Sequence, residues 1–137
     1  MRGEEGTLAK PGHLRETALK GDLFDPTCPT RGLLDRMGSK WTVMIVLLLS
    51  DQSELRFSEL RRAMSGVSQK MLSQTLRQLG RDGLVNRRVD PDITPPAVHY
   101  ALTPLGRSLV PPLAALRTWA EEHMREVDDH NARTTSP

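Results

Sequence analysis

Ser68–Gly83 reads SQKMLSQTLRQLGRDG, and the contrast between its two faces decides the fold. At about 100° per residue, Leu72, Leu76 and Leu79 fall on one side of a helix. Lys70, Ser73, Gln74, Arg77 and Arg81 share roughly 100° of arc on the other. A solvated helix face ordinarily mixes Glu with Lys, whereas this one carries cations, amides and hydroxyls and no acid. These are the groups that meet nucleic acid: Lys and Arg for phosphate or guanine, Gln for adenine, Ser for either.

Upstream, Ser65-Gly66-Val67 predicts a tight turn, preceded by a helix over Glu59–Met64 with Ser58 as its cap and a short extended piece at Leu55-Arg56-Phe57. Two helices joined by a short turn containing Gly form a helix-turn-helix. Downstream, Gly83 ends the second helix, and Leu84–Val89 and Val98–Leu102 alternate apolar with polar residues, as strands do. Between them the turn-rich DPDITPPA is stiffened by Pro91, Pro95 and Pro96. A strand pair directly after a helix-turn-helix is a wing, here spanning 84–102.

Further out, a helix is expected from Cys28-Pro29 to Met37, with Cys28 near its N-cap, Pro29 at its first position and Gly38 as its stop. Ser39 then caps Lys40–Ser50, whose WTVMIVLLL is apolar nearly all round and predicts a helix buried in the centre, with Trp41, Met44, Val46 and Leu47 in the core. Thr103 and Pro104 open a last helical segment in which Leu105, Leu109, Leu113, Leu116, Ala120 and Met124 recur at spacings of three and four. Pro111-Pro112 interrupts it and predicts a break or kink. Met1–Thr27 reads as a partly flexible arm with a short helix around His13–Lys20, and Asp128–Pro137 as a polar, disordered tail.

The expected class is therefore mainly α with a small β-wing: one domain over 28–127 in a chain of 137 residues. The net charge of +2 hides a segregation. Ser53–Val89 holds eight Lys and Arg against three acids, so this window is +5 and the remainder −3. Such a window is the footprint of a polyanionic partner. A single cysteine, Cys28, excludes an internal disulfide, and the four scattered histidines offer no metal-ligand spacing. No metal or cofactor is expected. No apolar run reaches membrane-spanning length, and the N-terminus contains acids and lacks a secretory core, so a cytoplasmic location without membrane contact is expected.

The order of motifs resembles the HxlR-type winged-helix transcriptional regulators, relatives of the MarR group. The matching residues are Cys28-Pro29, Gly38-Ser39-Lys40-Trp41-Thr42, Arg56-Phe57-Ser58-Glu59-Leu60-Arg61-Arg62, Gly66-Val67-Ser68-Gln69-Lys70-Met71-Leu72, Leu76-Arg77-Gln78-Leu79, Asp82-Gly83-Leu84-Val85, Tyr100-Ala101-Leu102-Thr103 and Leu105-Gly106. The likeness covers about Cys28 to Trp119. It implies a homodimer on a pseudopalindromic double-stranded DNA operator, with the Ser68–Arg81 helix in the major groove, the wing beside it, and dimerisation through terminal helices. The dimer candidates are Leu105, Leu109, Leu113, Leu116, Trp119 and Ala120. Two positions depart from the pattern: Pro112 doubles a proline, and His99 stands where Glu is frequent.

The expected DNA contacts are Ser68, Gln69, Lys70, Ser73, Gln74 and Arg77 from the helix, Arg87 and Arg88 from the wing, and Arg56 and Arg62 as phosphate contacts. Ser68 has a second reading as the N-cap alone. Arg87 and Arg88 alternate across a strand, so one of them faces away. Cys28 also reads two ways: as a small buried residue, or as a thiol activated by a helix N-terminus that senses oxidants or electrophiles, as some regulators resembling this family do. A small-molecule pocket near Trp41 and Trp119 is the alternative to a packed core there, and no polar constellation defines its ligand. An enzyme is not expected, since no acid–base pair, phosphate loop or nucleophile pattern is present. The competing class is a winged-helix module whose basic face binds an acidic protein.

Overall fold

The structure is a computed structural model that describes residues 20–135. The expected helix around His13–Lys20 and most of the arm lie outside the described residues. The elements run α1 (Thr30–Met37), α2 (Lys40–Ser50), β1 (Leu55–Arg56), α3 (Phe57–Ala63), α4 (Gln69–Arg81), β2 (Val85–Asp90), β3 (Ala97–Leu102), α5 (Pro104–Ser108) and α6 (Val110–Thr135). The chain divides into two compact units after Ser39.

In the first unit, Pro29 rather than Cys28 is the N-cap of α1. The Pro29 carbonyl accepts the first helical bond, from the Leu33 N–H at 3.1 Å, so Cys28 lies one residue outside the helix. Gly38 closes α1 as expected.

The second unit holds the helix-turn-helix and the wing. Its core is built from Ile45, Val46 and Leu49 of α2, Leu60 of α3, Met64 just after it, and Leu72, Leu76 and Leu79 of α4, all buried. Each fully buried aliphatic side chain contributes on the order of 1.5–3 kcal/mol. The apolar stripe of α4 thus fixes which side of the helix turns outward.

Helix α3 begins two residues earlier than expected. Ser58 lies inside it, and Arg56 is the N-cap because Glu59, at the third helical position, accepts the Arg56 N–H at 2.7 Å. The turn to α4 passes through Gly66 at φ +90°, a left-handed conformation that favours glycine. Ser68 then caps α4, its hydroxyl oxygen accepting the Met71 N–H at 3.0 Å.

The three strands are antiparallel in the order β1-β3-β2. Leu55 and Arg87 both flank Tyr100, while Arg56 and Arg88 both flank His99. Cross-strand partners share a face, so Arg87 lies on the side of buried Tyr100 and Arg88 on the opposite side. At the root of the wing, the Thr103 hydroxyl donates to the Gly83 carbonyl at 2.6 Å and accepts the Gly106 N–H at 3.0 Å. Gly106 is buried, and a Cβ there would overlap the Leu84 carbonyl oxygen.

Two further helices depart from expectation. Helix α2 is apolar nearly all round, yet only Thr42, Ile45, Val46 and Leu49 are buried. Val43, Met44, Leu47 and Leu48 line a groove against Arg117 and Glu121 of α6, which covers this side only in part. Trp41, also expected in the core, is half-buried beside the Lys40 ammonium, 4.6 Å from the ring centroid. Helix α6 starts after a break at Leu109, so Pro111 and Pro112 fall in its first turn, where missing N–H groups lose no bond. It then runs to Thr135, through the stretch from Asp128 that composition marked as disordered. Once a helix is nucleated, each further residue adds a hydrogen bond without a new nucleation step. Among the described residues no helix is long and apolar enough to cross a membrane.

Candidate nucleic-acid interface

Helix α4 and the Tyr100 face of the sheet enclose an open groove of about 760 Å³. One wall carries Gln69, Ser73, Arg77 and Arg81 from successive turns of α4. The other carries Arg87, Val98 and Tyr100, with Phe57 also on the lining. Three cations and two neutral polar side chains thus converge on an apolar floor that holds no carboxylate.

The structure brings together Gln69, Ser73, Arg77 and Arg87 of the expected contacts. Lys70 and Gln74 stand exposed on the same arc of α4, outside the groove. Among the described residues no hydrogen bond or ion pair engages the side chains of Gln69, Lys70, Gln74, Arg77 or Arg87. Their donors are therefore available to a partner. Ser68 is exposed but has its hydroxyl oxygen engaged in capping. Arg62 is exposed near the end of α3, apart from the groove lining.

Arg81 shares the cationic arc but is not among the expected contacts. It lines the groove while its guanidinium donates to the Gln78 side-chain oxygen at 3.0 Å. Its position in the same 100° arc was the signal.

Arg88 and Arg56 do not join this surface. Both lie on the opposite face of the sheet, and Arg88 donates to Glu54 through Nη2 at 2.5 Å and Nε at 3.3 Å. His99 Nδ1 is 3.4 Å from the same carboxylate. The Arg88 hydrogen bond holds the Glu54 carboxyl below its ordinary range, and Glu54 in turn raises Arg88. Arg88 is therefore committed within the wing, for the reason the alternation gave: only one of the adjacent arginines can face α4.

Cys28 is buried in the first unit. Its Sγ accepts the Asp22 N–H at 3.3 Å and lies 3.0 Å from the Thr30 hydroxyl. The Asp22 N–H first, then the Thr30 hydroxyl and N–H, lower the thiol below its ordinary range against desolvation and the Asp25 carboxylate. The activating groups are the Asp22 N–H and, from the first residue of α1, the Thr30 hydroxyl and N–H, so the helix end the sequence suggested contributes alongside the preceding turn. Among the described residues no group of three His, Cys, Asp or Glu is placed to hold a metal ion.

On the terminal helices, Leu113 is buried in its own chain and Leu109 half-buried, whereas Leu105, Leu116, Trp119 and Ala120 are exposed.

The pattern of the HxlR-like helix-turn-helix family matches residues 36–128. The chain belongs to this family. HxlR-like proteins are transcriptional regulators, not enzymes, and their helix-turn-helix binds DNA. The uncharacterised HTH-type transcriptional regulator YtfH of Escherichia coli is 43% identical over 114 residues, which cover 83% of this chain and 89% of that protein. A solved YtfH regulator from Salmonella typhimurium superposes with a TM-score of 0.76 at 43% identity, covering 82% of this chain and 99% of the other. The redox regulator HypR in its oxidised form gives a TM-score of 0.62 at 38% identity, over 69% and 96% of the two chains. The winged helix, with its MarR-like neighbours, is thereby the fold of an HxlR-like regulator.

Proposed function

We propose that this HxlR-like regulator is a homodimer that recognises a pseudopalindromic operator and represses by occupying it. The observation that carries this reading is the carboxylate-free groove in which Gln69, Ser73, Arg77 and Arg87 converge, with no partner for either arginine among the described residues. Helix α4 enters the major groove, its amides and Arg77 at base edges and Lys70 at a phosphate, while Arg87 of the wing meets the adjacent backbone. Exposed Leu105, Leu116, Trp119 and Ala120 supply the contact between protomers. A two-fold dimer then presents two α4 helices to successive half-sites.

The test is a footprint and titration on the intergenic duplex beside its own coding sequence. A protected, inverted half-site pair is expected, and Arg77→Ala weakens binding by ~1–3 kcal/mol if Arg77 reads a base. Binding that ignores base sequence and survives Arg77→Ala would instead favour an acidic protein as the partner.

Cys28 is the effector site in this reading, taking an oxidant or electrophile. Two observations support it: the lowered thiol and the similarity to a redox regulator solved in an oxidised form. With one cysteine per chain, the product is a Cys28–Cys28′ bridge between protomers, a mixed disulfide or a covalent adduct. A quinone or diamide is expected to release operator DNA from the wild type and not from Cys28→Ser. Equal release from both proteins would remove Cys28 from the mechanism.

A further inference from the structure

We infer that the groove between α4 and the sheet is also a small-molecule site, and that it takes a phosphate monoester carried on an apolar body. Only the consequence for transcription rests on the operator reading above; the binding itself does not.

Tyr100 is the residue that points to a ligand. It is 8% exposed and lines the groove. Among the described residues its hydroxyl has no hydrogen-bond partner. A buried phenol ordinarily finds one, so the fold here presents a donor that it does not use. A ligand oxygen that accepts from this hydroxyl supplies the bond that folding leaves unmade.

The charge of the groove narrows the ligand. Arg77 and Arg87 stand on opposite walls, both without a partner among the described residues, and no carboxylate lines the space between them. Arg81 adds a third guanidinium, which gives one N–H to the Gln78 side-chain oxygen. Two unpaired guanidiniums call for about two negative charges, which a phosphate monoester carries at about pH 8 and a carboxylate does not. The planar fork of an arginine also matches a phosphate edge through two parallel N–H groups.

The floor sets the rest of the molecule. Phe57, Leu76 and Val98 lie there beside the Tyr100 ring. Inorganic phosphate leaves that apolar surface wet. A phosphodiester of a duplex brings one charge and no large apolar body, so it does not answer to the floor either. The volume of about 760 Å³ falls among small-molecule sites, which run to roughly 300–1,000 Å³. An aromatic or acyl skeleton on the floor, with its phosphate toward the arginines and the phenol, satisfies all three features together. Arg77 and Arg87 are also the groups assigned to DNA, so ligand and operator exclude one another. The ligand is thus an inducer that occupies the reading surface directly, in addition to any chemistry at Cys28.

Calorimetric titration of the full chain with 1-naphthyl phosphate at fixed ionic strength tests this. The probe is expected to bind at least about tenfold more tightly than 1-naphthol or inorganic phosphate, and about threefold or more above singly charged 1-naphthoate. Tyr100→Phe is expected to weaken the probe about three- to tenfold while its melting temperature stays level or rises, because no internal bond is lost. At about ten times its own Kd the probe is expected to weaken binding of the intergenic duplex about tenfold. Binding no tighter than inorganic phosphate, equal binding of 1-naphthoate, equal binding by Tyr100→Phe, or a probe that stays bound beside saturating duplex overturns the inference and leaves the operator reading standing. A Tyr100→Phe protein that melts lower shows an internal partner for the phenol and overturns it as well. Probe binding without sequence-specific duplex binding keeps the site and removes the operator reading.

Discussion

Arg87 and Arg88 are adjacent and chemically identical, yet the sheet gives them opposite duties. Arg87 lines the groove under α4, and Arg88 closes onto Glu54, a residue 34 positions away. Alternation was legible in the sequence; which arginine turned to α4 was not, because it depends on pairing with Tyr100 and His99 across the sheet. Arg87→Ala is expected to weaken DNA binding evenly across sequences and to lower the salt slope by about one. Arg88→Ala should leave affinity unchanged, and the two are compared by titration at several salt concentrations. The Arg88–Glu54 pair also sets a pH dependence. A carboxylate whose pKa is lowered in the fold contributes stability above its ordinary range and loses it as pH falls through the lowered value. Melting temperatures taken from pH 6 to pH 3 should therefore fall further for the wild type than for Glu54→Gln. Parallel curves would mean that the pair carries no linkage.

Among the elements, α4 was the most legible, since its leucine stripe, its Ser68 cap and its end before Gly83 are all local signals. Ser68→Ala is expected to destabilise the domain by ~1 kcal/mol in a urea melt while leaving the helix in place. Helix α3 was misread at its start because two serine and arginine positions compete for one cap. Glu59 settles it by reaching back to Arg56 instead of leaving the role to Ser58. The end of α6 was misread for a different reason: polarity argues against a packed core, not against continuation of a helix already formed. Cys28 was placed correctly near α1, but its environment is made by Asp22, in a turn that no periodicity announces.

At the scale of the molecule, Lys70, Arg77 and Arg87 stand exposed in or beside one groove, and salt should reveal it. In the proposed dimer, Lys70 and Arg87 on each protomer imply a log–log salt slope of roughly −3.5 for four phosphates engaged. A slope shallower than about −2 would assign most of these cations to solvent. The candidate site was largely visible beforehand, because the helical arc names its own members. The groove itself was not, because it exists only where the sheet is laid beside α4. That placement depends on the seat of Gly106 against the Leu84 carbonyl, where no side chain fits. Gly106→Val is expected to cost ~1–3 kcal/mol by overpacking, measured by denaturant titration, and to loosen the wing before it unfolds α4. Since α5 and α6 meet at Leu109, that backbone contact clamps the base of the wing to the start of the long helix. In the proposed dimer, tilting one protomer's long helix would drag its wing along, so respacing the two α4 helices and re-aiming their wings become a single mechanical event.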